Sequence, residues 1–218
     1  MAILFRLFRF TLIAFVTSST LFACNSPFIH NPPSSSNQLE SKPLPSPPPI
    51  AAKDIEPERI PDAPYLQTPP EVVLKMLELA KVDKADVVYD LGSGDGRIVI
   101  AAAQKFGARA IGIEIDPELI RESDRESKLA IAKTPEIRDR IQFIKQDFFK
   151  TDLRDATVIT LYLLPQANLR VRSEILPKLK AGTRIISCEY DLGDLPPNQT
   201  EKIKVGNREY SIYLWILG

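Results

Sequence analysis

From about residue 70 the chain alternates between two hydrophobic rhythms. Val72, Val73, Met76, Leu77 and Ala80 recur at helical spacing. Ahead of them, Thr68-Pro69-Pro70-Glu71 reads as a capping box with proline at the first helical position. Val87-Val88-Tyr89 is a short apolar run that predicts a buried strand, and it leads into Asp90-Leu91-Gly92-Ser93-Gly94-Asp95-Gly96. A helix is predicted over 97–106 and a second strand over 110–115. Asp116-Pro117 then caps a helix carrying Leu119, Ile120, Leu129 and Ala130. Further strands are predicted at 141–145, 157–163 and 184–188, with a helix around 169–179 before the last. Residues 201–205 and 209–217 flank Gly206-Asn207, a hairpin turn pair. Strands alternating with helices imply an α/β fold, a doubly wound and mostly parallel seven-stranded sheet with a C-terminal antiparallel hairpin.

The pattern upstream is different. Arg6 and Arg9 precede Phe10–Ala23, 14 residues without a charge, too short to span a bilayer comfortably. The stretch ends Leu21-Phe22-Ala23-Cys24 and resembles a bacterial lipoprotein signal. An uncleaved anchor and a wrong start codon are the alternatives. Thirteen of the 19 prolines fall between Pro27 and Pro70, so the region reads as an extended spacer. Three segments are therefore expected: a signal-like or anchoring segment over 1–24, a Pro-rich linker over 25–62 and a folded domain over 63–218. Membrane attachment is expected, with a cytoplasmic location as the alternative.

Composition removes several chemistries. The only histidine, His30, lies in the spacer, which excludes imidazole triads, general bases and metal sites from the folded region. Cys24 and Cys188 are too few and too distant for a disulfide framework or a cysteine zinc site, and no metal is expected. Cations and carboxylates balance at 28 each over the chain, and at 23 each from residue 71 onward. Such a balance lacks the basic excess that phosphate neutralisation favours, so there is no strong nucleic-acid signal.

The glycine loop carries the chemistry. Its spacing is G-x-G-x-G, with Arg97 where a dinucleotide fingerprint needs its third glycine. Asp90 and Asp95 would repel a pyrophosphate and welcome a cation. Glu114 ends the next strand, placed to accept ribose hydroxyls. A ribose-bearing, cationic, phosphate-free ligand describes S-adenosylmethionine.

Val87 to Ala103 resembles the first motif of the class I S-adenosylmethionine-dependent methyltransferases, and the element order from about Ala63 onward is similar to their Rossmann-like fold. The resemblance implies that Asp90, Gly92, Ser93, Gly94, Asp95 and Gly96 hold the methionine part, and that Glu114 binds the ribose. It also implies that Asp147, followed by Phe148, meets the adenine. A narrower resemblance runs through Tyr65-x-x-Thr68-Pro69, the loop itself and Tyr162-Leu163-Leu164-Pro165. It points to a small protein-lysine methyltransferase family whose mitochondrial members modify the ATP synthase c-subunit and the adenine nucleotide translocase. This adds Tyr65 and Thr68 to the implied cofactor-binding set, and implies a protein lysine as acceptor.

On the residues alone the acceptor stays open. The [DN]-P-P-[YF] motif of enzymes that methylate planar nitrogens is missing after the fourth strand, where Leu161-Tyr162-Leu163-Leu164-Pro165 stands instead. Tyr162 is the catalytic candidate, able to orient an amine through its hydroxyl, and is also readable as a strand-end aromatic that packs the core. Glu189 and Asp191 read as pocket-lining or as solvated loop carboxylates. An RNA or small-molecule acceptor, a non-catalytic S-adenosylmethionine-binding module and a nicotinamide-dependent oxidoreductase are the competing readings.

Overall fold

The computed structural model describes residues 66–218. Cys24, the anchor-like segment, the spacer and Tyr65 lie outside the described residues. The elements are α1 (Pro70–Leu79), β1 (Val87–Leu91), α2 (Arg97–Phe106), β2 (Arg109–Glu114), α3 (Pro117–Lys133) and β3 (Ile141–Lys145). After them come β4 (Val158–Leu161), α4 (Pro165–Arg170), β5 (Arg184–Cys188), β6 (Gln199–Val205) and β7 (Arg208–Ile216). They build one seven-stranded sheet in the order β3-β2-β1-β4-β5-β7-β6. The first five strands are parallel, and β7 joins β5 antiparallel with β6 on its outer edge. The order reverses at β1, where a doubly wound sheet opens its crevice at the carboxyl ends of the strands.

Each face of the sheet has its own core. Val72, Met76 and Leu77 of α1 and Ile98, Val99 and Ala102 of α2 pack on Val88, Ala110, Val158 and Ile186. On the opposite face, Ala167, Val171 and Ile175 cover Leu91, Ile111, Ile159, Ile185 and Trp215 of the sheet. Among the described residues no helix is long and apolar enough to cross a membrane.

Two local expectations need correction. Pro69 is the N-cap of α1 and no side chain caps it, so Thr68-Pro69-Pro70-Glu71 is not a capping box. Two consecutive prolines fix the start of the helix through φ and leave fewer N–H groups to cap. The helix expected over 169–179 begins earlier, at Pro165, and loosens into a π turn over Val171–Ile175 and a 3-10 turn over Leu176–Lys178. Pro165 suits a first helical position, while Pro177 withholds an N–H from the ladder behind it.

Candidate active site

Strand alternation gathers the site. Val88 packs on the α1–α2 side while Tyr89 and Leu91 face the other core, so Asp90 points toward α1 and α2. By the same period, Glu114 of β2 and Thr160 of β4 share that side. Asp90 is 3% exposed and accepts a 2.6 Å hydrogen bond from the Thr160 hydroxyl. Burial pushes its carboxyl up to about 7. The Thr160 bond opposes that rise, and the neighbouring Glu114 and Asp95 carboxylates add to it. Asp90 is thus a buried carboxyl held by a neutral hydroxyl between two other acids, and an incoming positive charge would restore its ionised form.

The loop amides are already committed. Gly92 and Ser93 donate to the Ile113 carbonyl at 2.9 and 3.1 Å, and Gly96 donates to the Ser93 carbonyl at 2.9 Å. Gly94 N–H donates to Glu114 Oε2 at 3.0 Å. A phosphate-binding loop aims such amides at its ligand; here these four point inward. The Ser93 hydroxyl is buried with no hydrogen-bond partner among the described residues, the orphan a polar ligand would satisfy. These features fit the methyl donor implied above and do not fit a pyrophosphate.

Glu114 is 6% exposed, and its Oε1 accepts from the Ile115 and Asp116 amides at 2.7 and 2.9 Å. A carboxylate accepts about four hydrogen bonds, and three are taken. One ribose hydroxyl fits this geometry; two require the Gly94 amide to let go.

Asp95 lies between Gly94 and Gly96 and is 7% exposed. It grips Arg97, whose Nε lies 2.9 and 3.1 Å from its two carboxylate oxygens, and Arg97 Nη2 adds a further bond. Arg97 Nη1 donates to the Thr68 carbonyl at 2.7 Å. The pair therefore ties the glycine loop to the segment before α1, and Thr68 reaches the site through its backbone. Gly96 is a packing glycine, because a Cβ there would sit 2.3 Å from Phe143 Cζ at a backbone φ of +79°. Gly92 is the exposed member of the loop, and Leu163 Cδ2 lies 3.0 Å from where its Cβ would be.

Asp147 follows β3 beside Glu114, since the Glu114 carbonyl accepts from Gln146 N–H at 2.9 Å. Its carboxylate accepts from Phe149 N–H at 3.0 Å, and half-buried Phe148 packs on Phe149 with centroids 4.5 Å apart. Asp90, the loop, Glu114 and Asp147 thus converge at the carboxyl ends of β1, β2 and β3.

Tyr162 continues β4 on the same face and packs against the α1–α2 core. Burial raises its hydroxyl above the ordinary value, so the oxygen is a neutral acceptor and donor at neutral pH. Arg208 Nη2 lies 3.5 Å from that oxygen and 2.9 Å from Glu189 Oε1. Cys188 is buried, and desolvation pushes its thiol to about 12, which makes it inert. Among the described residues no three His, Cys, Asp or Glu side chains gather as a metal site.

Three residues escaped sequence reasoning. Thr160 had a signal, as the one hydroxyl in the run Val158–Leu161. Asn168 is fully buried and donates to Ser187 Oγ, the Tyr190 carbonyl and the Asp191 carbonyl at 3.2, 3.0 and 3.1 Å. Neither Asn168 nor Arg208 has a local signal, because their hydrogen-bond partners lie 19–23 residues away for Asn168 and 19 and 46 residues away for Arg208.

Comparison with known proteins gives this geometry a lineage. The family model described as the ANTKMT methyltransferase domain matches residues 90–199. A protein-lysine N-methyltransferase of Saccharolobus islandicus (strain REY15A) is 40% identical over 160 residues, covering 73% of this chain and 96% of that protein. The lysine N-methyltransferase of the ATP synthase c-subunit in Xenopus laevis is 30% identical over 139 residues. That match covers 64% of this chain and 57% of the frog protein, so the chain spans little more than half of that relative. A crystal structure described as an RNA methyltransferase from Salinibacter ruber in complex with S-adenosyl-L-homocysteine superposes with a TM-score of 0.63 at 43% identity. It covers 70% of this chain and 94% of that one.

Proposed function

We infer the acceptor from one premise: the chain belongs to the ANTKMT methyltransferase-domain family and is an S-adenosylmethionine-dependent methyltransferase. The acceptor we propose is a protein lysine. What carries this reading is the 40% identity, over nearly the whole length of that relative, to an enzyme named for protein-lysine methylation. The charge balance of 23 cations against 23 carboxylates from residue 71 agrees with it. We also propose that the catalytic domain is attached to a membrane through residues 1–24.

Asp90 and the glycine loop would hold the cationic amino-acid end of the donor, Glu114 a ribose hydroxyl, and Asp147 with Phe148 the adenine. Bound donor supplies an electrophilic methyl: the lysine nitrogen, its proton already lost to solvent, forms the N–C bond with its lone pair while the C–S bond breaks and its pair stays on sulfur. The protein's task is alignment and exclusion of water. Leu163 and Leu164 give the acceptor end an apolar wall, which disfavours the charged amine. The neutral Tyr162 hydroxyl accepts an N–H and orients the lone pair.

An RNA acceptor is the second reading, favoured by the 43% identical structure described as an RNA methyltransferase. Incubation with methyl-labelled donor and a fractionated lysate separates the two. Label in protein, recovered as methyllysine after acid hydrolysis, is expected; label in RNA alone overturns the lysine reading.

A further inference from the structure

The turn that follows β5 places a carboxylate in a way the donor site does not explain. Glu189 has φ +67°, and Tyr190 N–H closes back on the Cys188 carbonyl at 2.9 Å, a three-residue γ-turn of the rare left-handed kind. A glycine would make this turn without penalty, so the turn alone does not account for a glutamate. The conformation is held from several sides. Glu189 N–H donates to the Ser211 carbonyl at 2.8 Å, and the Tyr190 carbonyl accepts from Ser187 Oγ at 2.6 Å and from Asn168 Nδ2 at 3.0 Å. Strain over-determined in this manner is characteristic of functional sites.

The Glu189 side chain is 19% exposed, and its partner Arg208 is 56% exposed. The Arg208 guanidinium bridges the Glu189 carboxylate and the Tyr162 hydroxyl, with its Cζ 4.6 Å above the Tyr210 ring. Carboxylate, phenol and aromatic face together make a cation site, at the same carboxyl edge as the glycine loop. Its resident cation stands on the first residue of β7, just past the Gly206-Asn207 turn. An ion pair with one partner this exposed contributes little to stability, so losing it costs little.

We propose that Glu189 and Tyr162 receive the ammonium of the acceptor lysine, and that Arg208 occupies this position until the acceptor displaces it. The inference rests on the lysine reading and names its specificity residue. A lysine head is a compact cation with three donors, able to reproduce both bonds of the guanidinium. Glu189 is a positioning residue: it captures the charged side chain before deprotonation and takes no part in the transfer. Arg208 acts as a competitor in the same place, so removing the two residues has opposite effects.

The test is calorimetric titration of the full-length protein, loaded with S-adenosylhomocysteine, with n-butylammonium as the lysine-head probe. Glu189→Gln is expected to weaken binding at least tenfold, and Arg208→Met to tighten it severalfold, with donor affinity unchanged within twofold in both. A merely structural role would weaken binding in both variants. Equal binding in all three proteins, weakening in both variants, or no binding in any, overturns the proposal. Label appearing in RNA alone in the lysate experiment overturns it together with the lysine reading. Label in methyllysine combined with equal n-butylammonium binding overturns this inference alone.

Discussion

Asp90 is a carboxylate that the fold makes expensive. Its proton is favoured in the folded state, with a pKa of about 7 against 3.8 for the free side chain. Between those values the folded protein keeps a proton that the unfolded chain has released, so stability falls as pH rises from about 4 to about 7. The penalty at full ionisation is on the order of 4 kcal/mol. Asp90→Asn is therefore expected to raise the melting temperature of the donor-free protein at pH 8 while weakening donor binding at least a hundredfold. A lowered melting temperature would contradict the burial argument. In the wild type, donor affinity should fall by up to tenfold per unit below about pH 7, because the donor's cation needs the ionised carboxyl. Titration calorimetry from pH 5.5 to 8 measures this slope, and the Asn variant should lose it. Gly96 supplies the steric counterpart. Gly96→Ala forces a Cβ into the Phe143 ring at a positive φ and is expected to cost about 1–3 kcal/mol in urea unfolding. Phe143→Leu in the same chain should return part of that loss, since it opens the contact without easing the φ.

At the scale of elements, the join between α4 and the turn after β5 would set the geometry of the proposed acceptor end. Asn168 on α4 holds the Tyr190 and Asp191 carbonyls, and through them the turn that carries Glu189. Asn168→Ala leaves the Tyr190 carbonyl with Ser187 Oγ as its only side-chain donor and strips the Asp191 carbonyl of its side-chain donor, which costs about 1–3 kcal/mol. It should also raise KM for the acceptor while leaving donor affinity intact; equal loss of both affinities would mean a general disruption. The regular frame of this region was legible in the sequence, and the clamp was not. Apolar runs such as Ile111–Ile113 and Val158–Leu161, punctuated by helical spacing, carry the strand–helix alternation in their period. Gly206-Asn207 marks the hairpin because Gly206 adopts φ +59°. Asp90, Glu114 and Asp147 were read as candidates from their places late in or just after a strand, and the fold sets those strand ends side by side. Less was legible where a side chain's partner is decided by packing. The Asp95–Arg97 pair is visible only in the folded loop. The Thr68 hydroxyl looks like a cap until the two prolines make capping needless. The turn at Glu189 was not legible, because a positive φ at a non-glycine leaves no trace in composition.

For the whole molecule, the question is where an evenly charged catalytic domain meets its substrate. With 23 cations and 23 carboxylates from residue 71, the domain has no net field to draw it to an anionic membrane or to RNA. The attachment proposed above would then come from the uncharged Phe10–Ala23 stretch and Cys24. Under that proposal the substrates would be lysines on or near the membrane surface. A single acyl chain gives only marginal binding, so the apolar stretch or a second chain has to contribute. The full-length protein, expressed in a bacterial host, is expected in the membrane fraction and should resist extraction by high salt, because the attachment is apolar. Detergent should release it with methyl-transfer activity intact. Cys24→Ser is expected to move much of it to the soluble fraction if lipid on the cysteine is the anchor, and to leave it membrane-bound if the apolar stretch suffices. Recovery of the unaltered protein in the soluble fraction, indifferent to Cys24→Ser, would show that these residues do not hold it to a membrane.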